Sequence, residues 1–189
     1  MAHVIALSNQ KGGVGKTTTA INLSAALARL GQRVLLVDLD PQYSATQWMD
    51  ISDVGRGVFD LLADPENTPT ESLIRSTPCE NVSIIPSSSW LVGAEKAMAG
   101  EPGAEQCLRE KLGELADKPF DYILIDCPPS LNMLTINALV AADSSSLYAR
   151  NVLDFLKLVI TKEGALHVPM DDDIVVACLM AQGGEVKRK

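Results

Sequence analysis

Positive charge is what this sequence has too little of: 16 Lys and Arg stand against 24 Asp and Glu, a formal net charge of −8. A chain this acidic is not a basic nucleic-acid binder as a whole, so any DNA contact has to come from a local patch. Cysteine pairing motifs are missing too. Cys79, Cys107, Cys127 and Cys178 show no C-x-x-C spacing, which fits reduced, buried thiols in a cytosol rather than a disulfide framework. His3 and His167 stand alone without metal-ligand spacing. No apolar run is long enough to span a bilayer, and no charged leader precedes a signal-length stretch. A cytoplasmic protein without a membrane partner is the expectation. No repeat period appears either.

What remains is an ordinary soluble composition, 47% hydrophobic and 21% charged over 189 residues, enough for one domain with a sizeable core. "HVIALSN" (3–9) reads as a buried strand that stops at a Gly-rich turn. From Lys16 the pattern turns helical: Ala20, Leu23, Leu27 and Leu30 recur at spacings of three and four, and Gly31 stands at the C-terminal cap position. "RVLLVDLD" (33–40) is a second buried strand, which makes a β-loop-α-β unit with parallel strands. A short helix is expected around Phe59–Ala63, a third strand at 81–88, and helix over 90–118 broken at "GEPG". A fourth strand at 120–130 and a helix at 131–143 follow. This alternation predicts an α/β fold, a doubly wound, mostly parallel sheet with helices on both faces.

The chemistry starts at "NQKGGVGKTTT" (9–19). Glycines there let backbone N–H groups turn towards an anion, and the helix that follows adds its positive end. Gly12, Gly13, Val14 and Gly15 would form the cradle, with Lys16 reaching the β- and γ-phosphates, Thr17 ligating Mg²⁺ and Thr18 near the α-phosphate. The usual G-x-x-x-x-G-K-[ST] pattern would put glycine at position 10, where Gln10 stands, but the strand–loop–helix context is the right one. A plain Gly-rich turn is the alternative. "DLDPQYSAT" sets carboxylates Asp38 and Asp40 at the end of the second strand, where open α/β sheets bind ligands. "YILIDCPPS" ends the fourth strand in Asp126. Two aspartates capping a strand end, and an apolar strand ending at an ordinary turn, are the alternatives for these.

A lysine at the start of the loop, Lys11, resembles the deviant Walker A of the ParA/MinD ATPases. "QKGGVGKTTTAINL", "RVLLVDLDPQ", "DYILIDCPPSLNMLTINAL" and "AAD" fall in the order of ParA/Soj partition ATPases over residues 1–143. That resemblance implies a P-loop NTPase core that binds ATP and Mg²⁺, in which Lys11 reaches across an ATP-dependent homodimer to the partner's nucleotide. It implies that Asp38 lies near the Mg²⁺, that Asp40 positions the attacking water, that Asp126 holds Mg²⁺ through water and that Cys127–Ser130 senses the γ-phosphate. Lys11, Lys16 and Asp40 would carry catalysis. A ParB-like protein would stimulate slow hydrolysis, and non-specific DNA binding would place the protein at the nucleoid. "DLDPQ" favours the partition branch over the MinD branch, whose basic amphipathic membrane helix "GEVKRK" cannot form.

Residues 144–189 depart from that pattern and are expected to be a divergent, truncated part of the same domain. "SSSLYAR" replaces an apolar strand, no adenine-contacting segment is matched, and Arg150, Lys157, Lys162, Lys187, Arg188 and Lys189 are DNA-contact candidates by charge alone. "DIVVACLMA" (173–181) reads as a last strand or a buried helix, and "EVKRK" as a frayed tail. Asp171–Asp173 weakly resembles the acidic pair of a phage terminase nuclease, against the simpler reading as an acidic turn. Two other functions stay open: a related ATPase that positions another cargo or division partner, and a truncated non-catalytic paralogue that binds nucleotide.

Overall fold

The computed structural model describes residues 2–52 and 54–143, and the backbone of 181–182 and 185–186. Within 1–144 a five-stranded sheet is built from β1 (His3–Leu7), β2 (Val34–Asp38), β3 (Arg75–Ser76), β4 (Val82–Ile85) and β5 (Tyr122–Asp126), in the order β1-β5-β2-β4-β3. The first four positions in that order are parallel, and only the two-residue β3 runs antiparallel at the edge. The expected doubly wound, mostly parallel sheet is therefore present.

Its all-apolar strands are explained by cover on both faces. Every residue of β2 is buried, and the side chains alternate between two cores as a pleat demands. Leu35 and Val37 join one cluster with α3 (Val58–Ala63), α4 (Ala94–Met98), α5 (Cys107–Gly113) and α6 (Met133–Ala141). Val34 and Leu36 join the other, with Ala20 and Ala28 of α1 (Lys16–Arg29) and Ala45 of α2 (Ser44–Trp48). The small residues of α1 let it lie close on the sheet. Its end is the one anticipated: the Gly31 N–H donates to the Ala28 carbonyl at 2.9 Å and the Gln32 N–H to the Leu27 carbonyl at 3.1 Å, a Schellman closure.

The helical stretch 90–118 is more broken than expected, with a 3₁₀ turn at Ser89–Gly93, then α4, a 3₁₀ turn at Ala104–Gln106 and α5. Within residues 2–143 three elements have no counterpart in the sequence pattern: α2, a 3₁₀ turn at Thr70–Leu73 and the edge strand β3. Among the described residues no helix is long and apolar enough to cross a membrane. The second unit, 145–189, contributes an antiparallel pairing of Ala181–Gln182 with Glu185–Val186, so the segment read as a frayed tail includes paired backbone. The remaining expectations for that unit, Asp171–Asp173 and the basic residues included, lie outside the described residues.

Candidate nucleotide-binding site

Strand order gathers the motifs. β1, β5 and β2 are neighbours, so the loop after Leu7, the carboxylate of Asp126 and the pair Asp38 and Asp40 emerge side by side at the carboxyl edge. The chain reaches α1 through Gly13 (φ 71°) and Gly15 (φ 88°), the latter its N-cap, both in the left-handed region that glycine enters without strain. No acidic residue lies in the first turn of α1 and no side chain caps it, which leaves its leading N–H groups and positive end for an anion. The loop starts from a local anchor, the Lys11 N–H donating to Asn9 Oδ1 at 2.9 Å. Lys11, Gly12, Gly13, Val14 and Thr18 are exposed, while Gly15, Lys16 and Thr17 are half-buried.

Asp126 and Asp38 are opposite each other in the β2–β5 register, both buried, yet in different states. Asp38 Oδ2 accepts from the Thr46 N–H at 2.8 Å and the Thr46 hydroxyl at 2.7 Å, and its Oδ1 accepts from the Asp40 N–H at 3.2 Å. Burial pushes its carboxyl up to about 7, with the Thr46 bonds pulling it down and Asp126 adding to the rise. Neither oxygen of Asp126 has a well-formed hydrogen bond from a described residue. Burial raises its carboxyl to about 6; the Thr17 hydroxyl lowers it, the Asp40 charge raises it and the Lys16 charge lowers it. Cys127, buried beside Asp126, has its thiol pushed up to about 12, first by burial and then by that carboxylate.

A buried carboxylate without donors is costly on its own and is relieved by a cation. Among the described residues no three His, Cys, Asp or Glu side chains converge on one point. Mg²⁺ takes one or two protein groups and completes its shell from water and phosphate oxygens. The residues present therefore fit a phosphate chain with a hydrated divalent cation at Thr17 and Asp126. After β5 the chain turns back over the loop: a Cβ on Gly12 would sit 4.0 Å from Pro129 Cβ. The Thr135 hydroxyl donates to the Ser130 carbonyl at 2.6 Å, and Asn132 caps α6 by accepting the Thr135 N–H at 3.1 Å.

The profile of the AAA_31 family, an AAA domain, matches residues 2–148. The chain belongs to the AAA_31 family. The AAA_31 chain is similar to the sporulation initiation inhibitor protein Soj of Bacillus subtilis, 49% identical over 146 residues, which is 76% of this chain and 56% of that protein. It is 52% identical to the chromosome-partitioning ATPase Soj of Thermus thermophilus over 139 residues, 74% of this chain and 51% of that one. Among solved structures it resembles cobyrinic acid a,c-diamide synthase of Mycobacterium smegmatis with bound ADP and magnesium (TM-score 0.70, 34% identity, 84% of this chain and 69% of that one). The ParA/Soj resemblance and the P-loop fold are borne out. The AAA_31 chain spans about half the length of the Soj relatives it matches.

Two residues at this edge carried no role in the sequence pattern. Thr46, eight positions after Asp38, and Ser87, just past β4, both bond into the Asp38–Asp40 turn. The signal for Thr46 lay inside "DLDPQYSAT", a hydroxyl residue soon after a strand-end carboxylate. Ser87 gives no such signal, because its partner is 47 residues away.

Proposed function

We propose that this chain is the nucleotide-binding core of a ParA-type partition ATPase, a switch that dimerises with ATP and slowly hydrolyses it. The observation that carries this is Asp126: a buried carboxylate with no well-formed hydrogen bond among the described residues, next to Lys16 and Thr17 at the mouth of a Gly-rich loop. Lys16 and the backbone of Gly12–Thr18 hold the phosphates, and Lys16 balances the charge that builds on the transferred group. Thr17 and Asp126, with Asp38 behind them, form the Mg²⁺ side of the site, and Asp40 orients the attacking water. When bound, Mg²⁺ neutralises phosphate charge and polarises the bond that breaks. Lys11, exposed at the loop's start, contributes its cation to the partner subunit's nucleotide.

The Soj relatives, by name chromosome-partitioning ATPase and sporulation inhibitor, support a role in DNA segregation. A ParB-like stimulating protein and non-specific DNA are the partners, in the cytoplasm and at the nucleoid. The deciding experiment is single-turnover hydrolysis of ATP with and without DNA. Product formed at one equivalent per chain, lost in Asp40→Ala while ATP binding remains, supports the switch. Binding without any turnover in the wild type would make the chain a non-catalytic nucleotide-binding module.

A further inference from the structure

Asp40 is held from both ends of its own backbone. Its N–H donates to Asp38 Oδ1 at 3.2 Å, and its carbonyl accepts the Ser87 hydroxyl at 2.8 Å and the Tyr43 N–H at 2.8 Å. The two anchors are themselves joined. Thr46 Oγ1 donates to Asp38 Oδ2 at 2.7 Å and accepts the Ser87 N–H at 2.9 Å. The bonds close a ring, Asp38–Thr46–Ser87–Asp40, that ties the end of β2 to the first turn of α2 and the end of β4. Thr46, Ser87 and Asp38 are buried in it, and Asp40 is half-buried at its open side. The Asp40 carboxylate is fixed further by accepting the Gln42 N–H at 2.9 Å. With both peptide groups and one carboxylate oxygen tethered, what the ring specifies is where that side chain points.

We propose that Thr46 and Ser87 are positioning residues for hydrolysis, acting through the ring to hold the Asp40 carboxylate in register with the attacking water. This rests on Asp40 playing the part proposed above. Neither residue needs to touch the nucleotide. The single Thr46 hydroxyl both donates and accepts, so its loss breaks two bonds at once and leaves the Ser87 N–H unpaired in a buried place. The Ser87 hydroxyl is the gentler break, since the Asp40 carbonyl keeps its bond from Tyr43.

The test compares Thr46→Val, Thr46→Ser, Ser87→Ala and Asp40→Ala. In steady-state ATPase assays Thr46→Val should lower kcat by about 10- to 100-fold, the scale of a misplaced catalytic group, with KM within roughly threefold. Ser87→Ala should move kcat in the same direction by less, and Thr46→Ser should restore it. Calorimetry with a non-hydrolysable ATP analogue should give wild-type affinity in all of these. In the nucleotide-free protein, amide hydrogen exchange at Asp40 and Ser87 should quicken in Thr46→Val and return to normal in Thr46→Ser. If Asp40→Ala is dead while Thr46→Val and Ser87→Ala turn over at the wild-type rate, the ring does not position Asp40. Analogue affinity falling in step with kcat in Thr46→Val also overturns it, because the defect is then general. Full turnover by Asp40→Ala would instead remove the premise about Asp40 itself.

Discussion

Asp38 and Asp126 are register partners at the ends of adjacent parallel strands, both buried, and among the described residues Asp38 accepts well-formed hydrogen bonds while Asp126 accepts none. In the nucleotide-free protein their removal should therefore have opposite effects. Asp38→Ala orphans the Thr46 N–H and hydroxyl and should cost about 1–3 kcal/mol. Asp126→Asn removes a buried charge that no well-formed hydrogen bond from a described residue compensates, and should leave the melting temperature unchanged or raise it. Thermal unfolding in a chelator decides this; a large loss in Asp126→Asn would mean that the carboxylate has a structural partner.

A close approach supports the same edge from below. A Cβ on Gly57 would meet the Pro86 carbonyl oxygen at 2.3 Å, and the Val58 N–H donates to that oxygen at 2.9 Å. Gly57→Ala must move backbone, so a loss of about 1–3 kcal/mol is expected, as for overpacked sites. Since Pro86 leads directly into Ser87, ATP turnover should fall too. Denaturant unfolding and an ATPase assay measure the two losses.

At the opposite edge Arg33 and Asp121 form a two-pronged pair, Nη2 to Oδ1 at 2.9 Å and Nε to Oδ2 at 3.0 Å, with the Arg33 N–H adding a bond to Oδ2 at 2.8 Å. These bonds hold the Asp121 carboxyl down at about 2. Its folded value lies below the unfolded one of about 3.9, so the stabilisation is complete above about pH 5 and fades as pH falls towards 2. Wild type should exceed Asp121→Asn in stability at neutral pH by a margin that closes between pH 4 and 2. A margin constant over that range would show that the carboxylate does not titrate there.

Lys11→Ala should bind ATP as a monomer, because Lys16 and the backbone cradle remain, and should fail to dimerise. An exposed ion pair contributes only about 0–1 kcal/mol, so an effect this large requires the lysine to be shielded between two subunits. Light scattering with a non-hydrolysable ATP analogue distinguishes the cases: equal dimers in wild type and variant would make Lys11 an ordinary loop lysine.

The four parallel strands and the loop were legible because their signals are local. Apolar runs such as "VLLV" end at a carboxylate or a glycine turn, and the Gly–Lys–Thr spacing lies within one stretch. The edge strand β3 was not, since two residues paired with Ile84 and Ser83 leave no periodicity to read. Helix α2 was hidden by "PQYS", where Tyr43 takes a left-handed conformation (φ 45°) before the helix starts. The carboxylates were found by strand position, but which of them accepts well-formed hydrogen bonds depends on Thr46 and on burial. Neither is written in the spacing.

The central claim is a phosphate site built on Lys16, and titration calorimetry of ATP with Mg²⁺ into wild type and Lys16→Ala tests it most directly. The loop otherwise offers neutral donors, so losing its main phosphate cation should abolish measurable binding. Wild type should bind one ATP per chain. Equal affinity in the two proteins would contradict the site.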